Sequence, residues 1–67
     1  MPYKELSELP DAVREHLPKH AQEIFRASFN NALEEYGEEE RAFQVAWSAV
    51  KRGYEKGEDG NWHPKAE

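Results

Sequence analysis

Three histidines and two runs of charge are the residues in this chain whose types and spacing could carry chemistry. His16 and His20 stand four apart, the interval at which two imidazoles on one unbroken helix can share a metal ion. Pro18 lies between them and would break that helix. No third ligand is evident and no thiolate is available, so both read as surface or helix-boundary histidines. His63, beside Trp62, reads as a surface side chain rather than a general base. Cys and Thr are absent, and no Ser sits in a nucleophile frame. Glu34, Glu35, Glu38, Glu39 and Glu40 gather carboxylates, but a calcium loop needs alternating oxygen ligands, a central Gly and a closing Glu. "EEYGEEE" lacks that order, as does "GEDGN", and both read as solvated junctions. No catalytic, cofactor-binding or metal-ligating residue is therefore assigned, no cofactor is expected, and the chain does not read as an enzyme.

The second charged run is basic. Lys51, Arg52, Lys56 and Lys65, with His63, cluster toward the C-terminus and interleave with Tyr54 and Trp62. Cations between aromatic rings can bind nucleic acid. They can equally balance the negative end of a helix while the rings enter the core, and this second reading is favoured. The candidate partner-binding patch is thus Lys51, Arg52, Lys56, His63 and Lys65.

These side chains need elements to hold them. Pro10 opens a short helix of about residues 10 to 16, with Ser7 as its expected cap and Leu9, Val13 and Leu17 as its apolar stripe. Pro18 closes that helix and opens the next. From Lys19 to Tyr36 the apolar or small residues Ala21, Ile24, Phe25, Ser28, Phe29, Ala32, Leu33 and Tyr36 alternate intervals of three and one. That is an amphipathic helix, and Gly37 stands where a C-terminal glycine belongs. Glu38, Glu39 and Glu40 read as the first turn of a third helix. It carries a bulky stripe of Phe43, Trp47, Val50 and Tyr54 and a small stripe of Ala42, Ala46, Ala49 and Gly53. The small stripe permits close approach of the second helix, and the short junction makes the two antiparallel. Asp59-Gly60 marks a turn, after which Asn61, Trp62 and His63 read as extended before Pro64. The segment around Tyr3 also reads as extended. A small β pairing of the N- and C-terminal segments is expected, giving a mainly α fold with a minor sheet.

With 67 residues and no Cys, one domain is expected, without disulfides and with little room for a large core. Its stability must come from a dense set of rings. The expected anchors are Phe25, Phe29, Tyr36, Phe43, Trp47, Tyr54 and Trp62. Trp62, in the polar stretch "GEDGNWHPK", is explained as the peg that closes this core, and Trp62→Ala is expected to cost about 3–5 kcal/mol. A net charge of −5 disfavours non-specific DNA binding. No apolar run approaches the roughly 18 residues of a membrane span, and no signal peptide is visible. Direct membrane insertion is not expected, and a cytoplasmic location is.

The segments "MPYKELSELPDAV", "LPKHAQEIFRASFNNA", "VAWSAVKRGYEKG" and "GNWHPK" together resemble the ChaB family of cation transport regulators over nearly the whole chain. The paired Leu-Pro dipeptides, "SFNNA", Ala46-Trp47 and the terminal Gly60-Asn61-Trp62 carry the likeness. The junction "YGEEERAF" is shorter than in enterobacterial members. The resemblance implies a small soluble helical protein with a minor sheet and no catalytic residues. It implies a role in modulating a sodium/calcium–proton antiporter by protein contact. Viral relatives associated with DNA make a DNA-binding module the alternative.

Overall fold

The computed structural model describes residues 2–65 of the 67. A short 3-10 helix, Leu6–Glu8, precedes three α-helices: α1 (Asp11–His16), α2 (Lys19–Tyr36) and α3 (Glu39–Gly53). Two strands follow, β1 (Tyr54–Lys56) and β2 (Trp62–Pro64). The fold is mainly α with a two-stranded antiparallel sheet.

Prolines set the first boundaries. Pro10 and Pro18 are the extended residues immediately before α1 and α2, so neither forfeits a helical hydrogen bond. Ser7 does not cap α1. It lies within the 3-10 helix, and Pro10, which has no side-chain acceptor, takes the cap position. The turn is closed instead by Arg14, whose Nε donates to the Leu9 carbonyl at 2.9 Å. At the other end of α1, Gln22 Nε2 donates to the Leu17 carbonyl at 2.8 Å, satisfying an acceptor at the junction of α1 and α2. Gly37 ends α2 at φ 72°, with its N–H on the Leu33 carbonyl, a left-handed cap that suits glycine.

α2 and α3 run antiparallel, as the ring pairs show: Phe25 meets Trp47 at 5.1 Å and Phe29 meets Phe43 at 4.7 Å between centroids. Advancing along one helix retreats along the other. Ala42 and Ala46, both fully buried, supply the close approach, and Phe43 and Trp47 fill the space beside it, partly exposed. The buried cluster comprises Leu9, Val13 and Leu17 from the N-terminal part, Ala21, Phe25, Phe29 and Ala32 from α2, Ala42, Ala46 and Val50 from α3, and Tyr54.

Three further expectations are corrected. Tyr36 is not a core anchor: it is 44% exposed. It sits in the last turn of α2, past the end of the aromatic stack, and its ring lies 4.3 Å from the Arg41 guanidinium. Tyr54 is buried, but not as a helical residue. α3 stops at Gly53 and Tyr54 is extended, with its N–H still on the Val50 carbonyl. The third concerns strand pairing. β2 pairs with β1, in the register Tyr54↔Pro64, Glu55↔His63 and Lys56↔Trp62, not with the N-terminal segment. The 57–61 turn returns the chain onto the residues just before it, which closes a far shorter loop than reaching the N-terminus would. Meanwhile Asn30 on α2 takes both backbone groups of Tyr3, accepting from its N–H at 2.8 Å and donating to its carbonyl at 2.7 Å. A strand would need those same groups. Tyr3 packs against Phe29 with ring centroids 4.7 Å apart and planes tilted by 43°, so it does reach the core, by way of a side-chain amide.

Candidate functional site

Trp47 and Lys51 are four apart on α3, hence neighbours on one helix face. Lys56 and Trp62 are directly paired across the hairpin, hence neighbours on one face of the sheet. The hairpin folds these two Trp–Lys couples toward each other. The indole centroids stand 5.6 Å apart, tilted by 34°, and both rings remain half-buried. Together with Ala12 and His16 of α1 and Gly60 of the turn, they line an open cleft of about 310 Å³. A second groove, of about 490 Å³, continues past Trp47 and Lys51 toward Phe43 and Glu40.

The hairpin is fixed over α1 by a polar chain. His16 Nδ1 lies 3.1 Å from Asn61 Oδ1. The Asn61 N–H donates to Asp59 Oδ1 at 2.9 Å, and Asp59 Oδ2 lies 3.1 Å from His63 Nε2. The Asn61 backbone donor first, and then the His63 side chain, hold the Asp59 carboxyl below its usual value. Gly57 admits this arrangement: a Cβ there would sit 2.8 Å from His63 Cδ2. A turn of three to five residues without such a clamp would be a loose platform for an indole.

The five residues of the basic patch do not converge. Lys51 and Lys56 line the cleft. Arg52, one residue on from Lys51, is turned about 100° around the helix and lines a separate groove with Arg41, Tyr36 and Gln44. His63 lies opposite Glu55 in the ladder and is occupied with Asp59. Lys65 follows β2, its N–H donating to the Gly53 carbonyl at 3.0 Å, and is not among the residues lining the cleft. The contributions of Ala12, His16 and Gly60 were not foreseen. The i, i+4 spacing of Trp47 and Lys51 was a usable signal for half of the site.

Histidine chemistry is dispersed. His16 faces Asn61, whereas His20 lies 3.8 Å from Glu23 on the next turn of α2. Among the described residues, no group of three or more His, Asp or Glu is placed to hold a metal ion. Asp59 and His63 form a carboxylate–imidazole pair, but Ser28 and Ser48 line the distant α2–α3 groove and Ser7 lies in the 3-10 helix. The pair therefore has no hydroxyl from these serines to activate. Among the described residues, no helix is long and apolar enough to cross a membrane.

Known proteins resemble this chain in sequence and in fold. The sequence model of the ChaB family matches residues 9–65. A protein of Escherichia coli strain K12 named "Putative cation transport regulator ChaB" is 45% identical over 76 residues, covering 98% of this chain and all of the relative. A protein of the same name from Shigella flexneri matches to the same extent. The solution structure of a protein of that name superimposes with a TM-score of 0.88 at 44% identity, over 97% of this chain and all of the other. A family match across the core, both ends of the cleft and the hairpin, together with near-complete relatives, has one reading: the chain belongs to the ChaB family.

Proposed function

We propose that this chain is a non-enzymatic regulator of cation transport that acts in the cytoplasm by contact with another protein, a membrane sodium/calcium–proton antiporter. The observation that carries the contact mode is the partly exposed Trp47–Trp62 pair, flanked by Lys51 and Lys56. A 67-residue chain without disulfides gains stability from every ring it buries, yet two of its largest are left partly open to solvent. Partly exposed aromatics beside cations are the composition of an interaction hot spot. The name the relatives carry supplies the link to cation transport.

The test is retention of a detergent-solubilised sodium/calcium–proton antiporter on the immobilised, purified chain at micromolar concentration. Retention that is lost in Trp47→Ala is expected. No retention by the unaltered chain overturns the reading. The alternative, a DNA-binding module, draws on the same interleaving of lysines and rings. It requires duplex binding that weakens steeply with salt and with Lys51→Glu, and a flat titration at low salt removes it.

A further inference from the structure

The cleft has a polarity that the chain as a whole does not. The protein carries 14 acidic and 9 basic residues. The groups lining the cleft nevertheless include two lysines and, among the described residues, no carboxylate. The lysines are also placed by register. Each is the structural neighbour of one indole, Lys51 by helical spacing and Lys56 by cross-strand pairing. The two lysines beside the apolar floor are therefore carried on different elements, Lys51 on α3 and Lys56 on β1. His16, on the α1 wall, is engaged with Asn61 and adds no negative charge.

We propose that this cleft binds an acidic segment of a protein partner, in which one apolar or aromatic residue is flanked on both sides by carboxylates. The apolar residue lies on the indole pair, and the flanking carboxylates meet Lys51 and Lys56. The lysines provide charge complementarity and steer encounter, while the indoles provide buried area. A nucleic acid would track a continuous basic groove. Here Arg52 lies in another groove and His63 is taken up by Asp59, so among the described residues Lys51 and Lys56 are the only Lys or Arg side chains that line the cleft. This proposal rests on the partner-contact reading and specifies the chemistry of that same surface.

Trp47 and Trp62 are the chain's only tryptophans, and both line the cleft, so selectively excited tryptophan fluorescence reports on it. The probe is an acetylated, amidated peptide, Asp-Glu-Phe-Glu-Asp, titrated into the full chain. Its controls are Asp-Glu-Gly-Glu-Asp, Lys-Arg-Phe-Arg-Lys and an oligothymidylate. The acidic Phe peptide is expected to saturate the fluorescence change and to shift both indole N–H signals in NMR spectra. The Gly peptide should bind more weakly, and the basic peptide should not bind. Lys51→Glu and Lys56→Glu, both at exposed positions, should each weaken binding by roughly tenfold with unchanged circular dichroism, and Lys65→Glu should weaken it much less. No response to the acidic Phe peptide, an equal response to the basic one, or tighter binding of the oligothymidylate overturns the proposal. Antiporter retention separates the two levels. Retention that survives Lys51→Glu with Lys56→Glu keeps the regulatory reading and removes this one. Peptide binding without antiporter retention keeps this one and removes the antiporter.

Discussion

Gly57 is where one added carbon reaches furthest into the hairpin. An alanine Cβ would lie 2.8 Å from His63 Cδ2 and 3.0 Å from Asp59 Oδ1. The exposed imidazole is the group able to yield, and yielding takes it off Asp59. The consequence is legible in pH. Asp59 is held below its ordinary 3.8 by the Asn61 N–H and then by His63. A lowered carboxyl favours the folded turn at pH above the ordinary value and ceases to do so as pH falls through the lowered one. In an acid titration followed by the Asn61 amide resonance, the midpoint is expected below 3.8. Gly57→Ala should raise it part of the way back, because the backbone donor remains. An unchanged midpoint would mean that His63 contributes nothing. Tyr3 is the opposite case. Burial, and then the charge of Glu39, raise its hydroxyl above 10.0. Its contribution is complete below that value and is lost as pH rises through the raised one. Tyrosinate absorbance should therefore show a late alkaline phase that Tyr3→Phe removes, accompanied by release of the N-terminal segment from Asn30.

At the scale of elements, the α2–α3 contact depends on what is small. Ala42 and Ala46 are fully buried, so Ala46→Leu must either separate the helices or distort the Phe25 stack. A loss of about 1–3 kcal/mol in urea unfolding is expected. Ala49→Leu, at a half-buried position beside an open groove, should cost clearly less. That contact was legible in the sequence because alanines at intervals of three and four have a helical period. So were the bounds of α2, since Pro18 and Gly37 act through backbone constraints that hold in any context. The strands were not legible in the same way. Three residues carry no useful period, and Asp59-Gly60 announces a turn without naming the partner strand. The choice fell to the shorter loop closure and to Asn30, whose grip on Tyr3 no local pattern reveals. The basic patch was legible as composition but not as geometry. Lys51 and Arg52 are adjacent in sequence, yet helical rotation sends them to different grooves. Trp62 comes close to Trp47 only because the chain folds back at residues 57–61.

The whole molecule measures 33 × 23 × 16 Å along its principal axes. Its thinnest dimension is less than twice the roughly 10–12 Å diameter of one helix with side chains. Such a slab can enclose one layer of rings and must leave the next layer partly open. Phe25 and Phe29, at 0% and 1% exposure, occupy the enclosed layer. Phe43, Trp47 and Trp62 pack against it from outside. Trp62 is therefore a lid on the core rather than a peg within it, and the expected cost of removing it falls. Phe25→Ala takes away a ring with contacts on every side and should cost about 3–5 kcal/mol. Trp62→Ala forfeits the buried part of a partly exposed indole, and should cost less than Phe25→Ala, about 2–3 kcal/mol at about 25 cal/mol per Å². Urea unfolding followed by circular dichroism compares the two without relying on either tryptophan. If Trp62→Ala proved as damaging as Phe25→Ala, the division into an enclosed and an open layer would be wrong. The cleft would then be a structural seam, with no surface to spare for a partner.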